Sequence, residues 1–210
     1  MKTIILGCGG HGRVIRDILF NYPNIDLIGF LDDNKLLQNK TIDKLKVLGS
    51  FSDIRKFMDD GLEAIVIGIG DNRIRASFYE KSKDMGLKLV NVIHPSSIIS
   101  KNVKIGEGII IMPGAIINTG CFLNNNIVIN TGAQLDHDDY LDDHCHIYPG
   151  AVLAGNVKIG KYSYVGMNAS ISQNLIIGNN SFVGMGSVVT KNVADNSMVY
   201  GNPAKLIKKI

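Results

Sequence analysis

The sequence predicts an α/β N-terminal unit of half-Rossmann type, residues 1–93, followed by a parallel β-helix over residues 94–210. From Ile93 to Val189 every sixth residue is aliphatic, seventeen positions without a miss. A helix repeats near 3.6 residues and a strand near 2, so neither gives a strict six. A rung with three flat faces, each turning one aliphatic residue inward, does. Gly7, Gly9 and Gly12 form G-x-G-x-x-G between a predicted strand and a predicted helix, and Asp32 stands twenty residues beyond Gly12. Strands then alternate with helices up to the start of the repeat, the pattern of a parallel sheet covered by helices.

In order along the chain, residues 2–7 (KTIILG) read as a buried strand. Residues 11–21 carry Val14, Ile15, Ile18 and Leu19 at helical spacing. Residues 27–31 form a second strand, 52–60 a short helix with Ile54 and Phe57 on one face, and 64–69 a third strand. Residues 72–85 read as a helix ended by Gly86, and 88–93 as a last strand. The β-helix is expected from about Ser96 to Val189, with the tail losing the register and ending GNPAKLIKKI.

A second inward position lies four residues after each aliphatic anchor. Ala115, Cys121, Ala133, Cys145, Ala151, Ser163, Ala169, Ser181 and Ser187 are small there; Ile109, Ile127 and Leu175 are larger but apolar. Gly106, Gly160, Gly166, Gly178 and Gly184 directly follow their anchors, where a tight turn is expected. Asp139 breaks the small, apolar pattern. Its charge suggests either a local bulge or outward turn, or regularity given up for function.

Composition narrows the function. Net charge is only +3 over 210 residues, so no broad nucleic-acid surface is expected. No apolar run is long enough to span a bilayer. The N-terminal MKTIILGCGG reads as a first strand and not a signal peptide. Cys8, Cys121 and Cys145 are odd in number and far apart, which suits reduced thiols in the cytoplasm.

The glycine turn lets backbone approach a pyrophosphate at a helix N-terminus, and Asp32 or Asp33 offers acceptors to ribose hydroxyls. A purely structural turn is the alternative. Residues 1–93 are roughly half a full dinucleotide domain, which suits one nucleotide, such as that of a nucleotide-sugar. Asp71 and Asn72, after the third strand, either touch that nucleotide or cap the next helix.

His137, His144 and His146 cluster within LDHDDYLDDHCHIYPG. His137 precedes Asp138, and a carboxylate that fixes the tautomer makes a histidine a plausible general base. A mixed-charge surface loop is the alternative. No metal site is expected: the register turns Cys145 inward and His144 and His146 the other way, so they do not converge on one ion.

With the hexapeptide prism, the GCGGHG turn, the FLDD strand end and the C-terminal GNPAK, the chain resembles the bacterial sugar acyltransferases of the PglD/NeuD family along essentially its whole length. The resemblance implies an N-terminal nucleotide-sugar domain, a left-handed β-helix, a homotrimer, and acetyl transfer from acetyl-CoA to a sugar amine or hydroxyl. It implies His137 as catalytic base supported by Asp138, and Asn130 and His146 near the thioester. Gly155, Met167 and Met185 match positions lining the acetyl-CoA groove, and Gly9, Gly10, His11, Asp32 and Asp33 match the nucleotide-sugar site. Lys205, Lys208 and Lys209 either meet coenzyme A phosphates or form a solvated tail.

The expected activity is N-acetylation of a UDP-linked 4-amino-4,6-dideoxy sugar for bacterial surface glycans, by direct transfer in a ternary complex. Two alternatives stay open: a sialic-acid-type sugar O-acetyltransferase, and a non-catalytic nucleotide-binding scaffold.

Overall fold

Buried apolar strands alternating with amphipathic helices build the first of two units, Met1–Val92. The structure, a computed structural model, describes all residues, 1–210. The unit runs β1 (Lys2–Leu6), α1 (Gly10–Leu19), β2 (Asp26–Leu31), β3 (Thr41–Ile42), β4 (Leu45–Gly49), α2 (Ile54–Asp59), β5 (Ala64–Ile67), α3 (Asn72–Asp84) and β6 (Lys88–Leu89). The sheet order is β3-β4-β2-β1-β5-β6. β1 lies between β2 and β5, parallel to both, which buries Ile4 and Ile5 completely. α1 buries Ile15, Ile18 and Leu19.

The hairpin β3–β4 is not legible as a strand pair in the sequence; β4 extends the sheet by pairing in parallel with β2. The predicted last strand, 88–93, divides. Lys88–Leu89 pairs with β5, and Val92–Ile93 opens the repeat. Asp71 settles as a helix cap: its carboxylate accepts the N–H groups of Arg73 (2.9 Å) and Ile74 (2.8 Å). The glycine turn is tightly built. A Cβ on Gly12 would strike the Gly7 carbonyl, and one on Gly68 would come 2.7 Å from Gly12 Cα.

The second unit, Ile93–Ile210, is a left-handed parallel β-helix. Seventeen two-residue strands, β7 (Val92–Ile93) to β23 (Val188–Val189), each end on one of the predicted anchors. Strands eighteen residues apart pair in parallel register, as Leu135 with Leu153 and Leu153 with Ile171. Anchors from Ile111 to Val189 are buried, each contributing about 1.5–3 kcal/mol of apolar burial. None of the chain's helices is long and apolar enough to cross a membrane.

Two expectations about this unit do not hold. First, Gly106, Gly160, Gly166, Gly178 and Gly184 do not make the tight turns. The left-handed backbone falls three residues after the anchor, at Gly108, Gly114, Gly120, Asn126, Gly132 and so on to Gly186. Glycine directly after an anchor serves close stacking: a Cβ on Gly160 would lie 2.6 Å from Asn179 N, one coil further on. Second, Asp139 makes neither a bulge nor an outward turn. It points inward, fully buried, and the flanking strands Gln134–Leu135 and Tyr140–Leu141 keep register with Val152–Leu153 and Lys158–Ile159. The His137 rung is therefore regular and not a loose surface loop. The tail loses the register, as expected, its pairings falling sixteen residues apart where the coils pair at eighteen, yet it stays on the prism. Val193 bridges Ile177, then β24 (Ser197–Tyr200) pairs in parallel with Phe182–Val183, and β25 (Lys205–Lys209) folds back antiparallel on it.

Candidate active site

One corner of the prism, residues 136–139, carries a histidine held between two coils. His137 Nδ1 donates to Asp138 Oδ2 at 2.9 Å, so the shorter carboxylate reaches the ring. Asp138 does this from the left-handed corner position, φ 62°, which Asp tolerates better than most side chains. Gly120, one coil before, leaves room: a Cβ there would strike Asp138 Oδ1. Asp136 Oδ1 accepts the His137 backbone N–H at 2.9 Å and is itself tied to Asn118 Nδ2 at 3.1 Å. The His137 carbonyl accepts Asn156 N–H at 2.8 Å.

The imidazole lies over Gly155, one coil on. A Cβ at Gly155 would come 2.5 Å from both Cε1 and Nε2. With Nδ1 bound to Asp138, Nε2 is the ring atom left to exchange a proton. The hydrogen bond to Asp138 raises the His137 pKa above its ordinary value, against some desolvation and with help from Asp136. The side chain is 58 % exposed, so solvent reaches the ring. Asn118, Gly120 and Asp136 are not recognisable from sequence as site residues, because their roles depend on the eighteen-residue stacking of corners.

The other predicted prism residues group elsewhere. Asn130 Nδ2 meets His146 Nε2 at 3.1 Å, and the His146 ring stacks on Tyr148 with centroids 3.9 Å apart. His146 is buried, while Met167 and Met185 are exposed. The strand bounds place Asn130, Met167 and Met185 at the corner after strands 128–129, 164–165 and 182–183, and His146 in the same face. His137 and Gly155 stand at the corner after strands 134–135 and 152–153. One chain thus carries two groups of candidate residues on two different corners.

His144 and Cys145 belong to the scaffold. His144 is buried in a left-handed corner, meets Asn126 Nδ2 through Nδ1 at 2.8 Å and stacks on Tyr162. The inward Cys145 thiol donates to the Gly160 carbonyl at 3.1 Å.

In the N-terminal unit a cavity of about 370 Å³ lies at the carboxyl ends of β1, β2 and β5. Leu31, Phe51, Ile69, Ile74 and Phe78 form its apolar wall, with Gly7, Asp32 and Asp33 beside them. Asp32 braces the glycine turn. Its Oδ2 accepts Cys8 N–H at 2.9 Å and the Cys8 thiol at 3.2 Å, and its Oδ1 accepts Asn34 N–H at 2.9 Å. Desolvation alone would raise its pKa, but these donors outweigh it and hold the carboxyl below the usual range. Burial and the Asp32 carboxylate push the Cys8 thiol up to about 12, so it stays protonated. Asp33 Oδ1 accepts Phe51 N–H at 2.9 Å. No side chain comes within 4 Å of a Cβ built on Gly9 or Gly10, so the start of α1 is open at these positions. Burial, with the Arg75 guanidinium nearby, pushes the His11 pKa down to about 4 and keeps the ring neutral at pH 7.

Comparison with known proteins matches both units. The PglD N-terminal domain family matches residues 2–82, and the bacterial transferase hexapeptide family matches residues 140–173 and 156–191. The chain is 32 % identical to a variant of perosamine N-acetyltransferase from Caulobacter crescentus, solved with CoA and GDP-perosamine. That superposition covers 100 % of this chain and 98 % of the other, with a TM-score of 0.95. The acetyltransferase domain of PglB from Neisseria gonorrhoeae, solved with acetyl coenzyme A, is 34 % identical over 98 % of each chain, with a TM-score of 0.90. UDP-N-acetylbacillosamine N-acetyltransferase from Bacillus subtilis is 36 % identical over 120 residues, 53 % of this chain and 51 % of that one. The chain thus spans about half the length of this curated relative.

Fold and sequence together define a hexapeptide-repeat acyltransferase with a nucleotide-binding-type first unit. Within that class, the chain belongs to the PglD/NeuD family of sugar acyltransferases.

Proposed function

We propose that this chain is an acetyl-CoA-dependent N-acetyltransferase acting on a nucleotide-linked amino sugar in bacterial glycan synthesis. The observation that carries the reading is the His137–Asp138 bond, which leaves Nε2 of an exposed imidazole seated over Gly155. Alignment over nearly the whole length with an acetyltransferase of an amino sugar supports an amine acceptor over a hydroxyl. The histidine–carboxylate pair argues against a scaffold without chemistry.

Acetyl-CoA supplies an activated acyl group. His137 Nε2 takes a proton from the acceptor amine as nitrogen bonds to the thioester carbonyl carbon. The C–S bond breaks, and the same proton passes to the departing thiolate. The products are an acetamido sugar and free coenzyme A, with no acyl-enzyme. Asp138 holds the tautomer and stabilises the imidazolium. Backbone N–H groups at the corner steady the carbonyl oxygen, and pre-assembly of both substrates supplies several kcal/mol.

Asn130, His146, Gly155, Met167 and Met185 line the path of acetyl-CoA, with Lys205 and Lys208 within the tail for its phosphates, while Lys209 Nζ donates to the Asp195 carbonyl and the Ser197 hydroxyl. Gly9, Gly10, His11, Asp32 and Asp33 form the nucleotide-sugar end, with Asp32 shaping the turn and Asp33 offering a carboxylate. The base-side and cofactor-side residues stand on two corners of one prism. A homotrimer that brings one corner of each chain against the other corner of its neighbour completes the site. The working place is the cytoplasm, in keeping with three free, buried cysteines.

The test is His137→Ala. It should lower kcat by about 10²–10⁴-fold with an unchanged melting temperature and a near-unchanged acetyl-CoA KM. A folded His137→Ala protein with wild-type kcat on amino sugar nucleotides removes His137 as the base.

A further inference from the structure

The column of inward corner residues that runs through the His137 coil is Val103, Cys121, Asp139, Val157, Leu175 and Val193. Asp139 is its only carboxyl, and it is fully buried. One oxygen, Oδ1, accepts the Val157 N–H at 2.8 Å. The other, Oδ2, is buried and accepts from no donor.

Three other polar inward residues share one pattern, whereas Ser97 and Ser181 donate to the carbonyls of His94 and Ala194. Cys121 donates its thiol hydrogen to the carbonyl of Asp136, Cys145 to Gly160, and Ser163 its hydroxyl hydrogen to Gly178. Each acceptor lies fifteen residues on. Ser163 Oγ also accepts the N–H of Ser181, eighteen residues on. Asp139 reproduces the second half of this pattern with Val157. The first half assigns Oδ2 a hydrogen and the Ala154 carbonyl as its acceptor. A carboxylate has no such hydrogen; a carboxylic acid does.

On the reading that His137 is the base, we infer that Asp139 is a positioning residue. As a neutral carboxylic acid it clamps both ends of the Ala154–Val157 corner on which the imidazole sits. Two bonds to one corner, at Ala154 and Val157, fix the height of Gly155 between them, and the Gly155 backbone is the floor under Nε2. The surroundings favour the neutral form. Asp136, Asp138 and His137 share its turn, Cys121 faces it from the previous coil, and the 154–157 corner carries no titratable side chain. Burial raises its pKa to about 7, opposed by the Val157 N–H, with the Asp136 carboxylate adding to the rise and the Asp136 backbone N–H and His137 opposing it.

The experiment compares wild type, Asp139→Asn, Asp139→Val and His137→Ala in one kinetic and melting series. The amide of Asn mimics the neutral acid at every pH, accepting through Oδ1 and donating through Nδ2. Val matches Val103 and Val157 in the column but clamps nothing. Asp139→Asn should keep kcat within about twofold and hold it to higher pH than wild type. Asp139→Val leaves the buried Val157 N–H without its acceptor; it should still fold into the prism yet lose kcat by about tenfold or more, with acetyl-CoA KM unchanged. Infrared difference spectra below neutral pH should show a protonated-carboxyl stretch in wild type that Asp139→Asn lacks. Asp139→Val with wild-type kcat, or Asp139→Asn as impaired as Asp139→Val, overturns the inference. If His137→Ala retains activity, the base itself is wrong; if it abolishes activity while Asp139→Val does not, only the clamp is wrong.

Discussion

Adding one methyl group at Gly155 should displace the His137 ring without disturbing the prism. The alanine Cβ would stand 2.5 Å from Cε1 and Nε2 and 3.0 Å from Cδ2. Non-bonded carbon atoms rest at about 3.5–4.0 Å, so the ring must retreat by about 1 Å or rotate away. Gly155 is not among the residues with left-handed φ, so alanine brings no backbone strain. The ring is more exposed than buried and moves without giving up a packed core. Stability should therefore change by less than about 1 kcal/mol, helped by the lower entropy of the unfolded chain. A displacement of about 1 Å costs on the order of 10²-fold in rate, near 2.7 kcal/mol of barrier. Thiol release from acetyl-CoA with a saturating amino sugar nucleotide measures kcat, and melting on the same preparation monitors the fold. Gly155→Ala should fall between wild type and His137→Ala. A stable Gly155→Ala protein with wild-type kcat means that the ring does not work from its seat over Gly155.

Asp32→Ala removes the acceptor that braces Cys8 and Asn34, so nucleotide-sugar affinity should fall by about tenfold or more while acetyl-CoA affinity stays constant; calorimetry with each ligand separates the two, and equal losses refute the assignment. The raised pKa of Asp139 predicts a pH effect on folding. A group bound to its proton more tightly in the folded state contributes its full stability below the unfolded pKa. Raised from 3.8 to about 7, it should lose up to about 4 kcal/mol of stability as pH climbs through that window, and no more above it. Denaturant unfolding of wild type beside Asp139→Asn measures the difference, and parallel curves across the window refute a raised pKa.

The repeat was legible because burial leaves little choice. Anchors such as Leu135 and Ile159 are buried in the prism axis, where an aliphatic side chain is favoured, and they recur at a spacing that neither a helix nor a strand gives. The left-handed corners were hidden because several residue types serve there: Gly114, Asn126, Asp138, His144 and Tyr162 all take the same φ. Conspicuous glycines such as Gly160 do not mark the turn, since stacking also excludes a Cβ. The β3–β4 hairpin escaped because Val47 is its one fully buried residue and the pattern around it does not alternate. His137 and Asp138 were visible as neighbours in the chain, whereas Gly120, Asp136 and Asn118 acquire their roles only when coils stack. Asp139 stands out in the sequence as an irregularity, but it points inward: the rung absorbs the carboxyl and stays regular.

The unbroken spacing of anchors gives the prism something like a reading frame. Each rung of six residues advances the chain by one face, and three rungs return it to the same corner one coil further on. Loss of six residues between His137 and Met167 would leave every core side chain inward while turning Met167 and Met185 onto another corner. Loss of eighteen would keep each residue on its own corner and merely shorten the molecule by a coil. Length changes of one or two coils beyond the rungs from His137 to Met185 should then be silent, while a six-residue change within them should part the proposed acyl-donor residues from the proposed base without unfolding the prism. In a lineage of such proteins, insertions and deletions should accumulate in steps of eighteen within the prism.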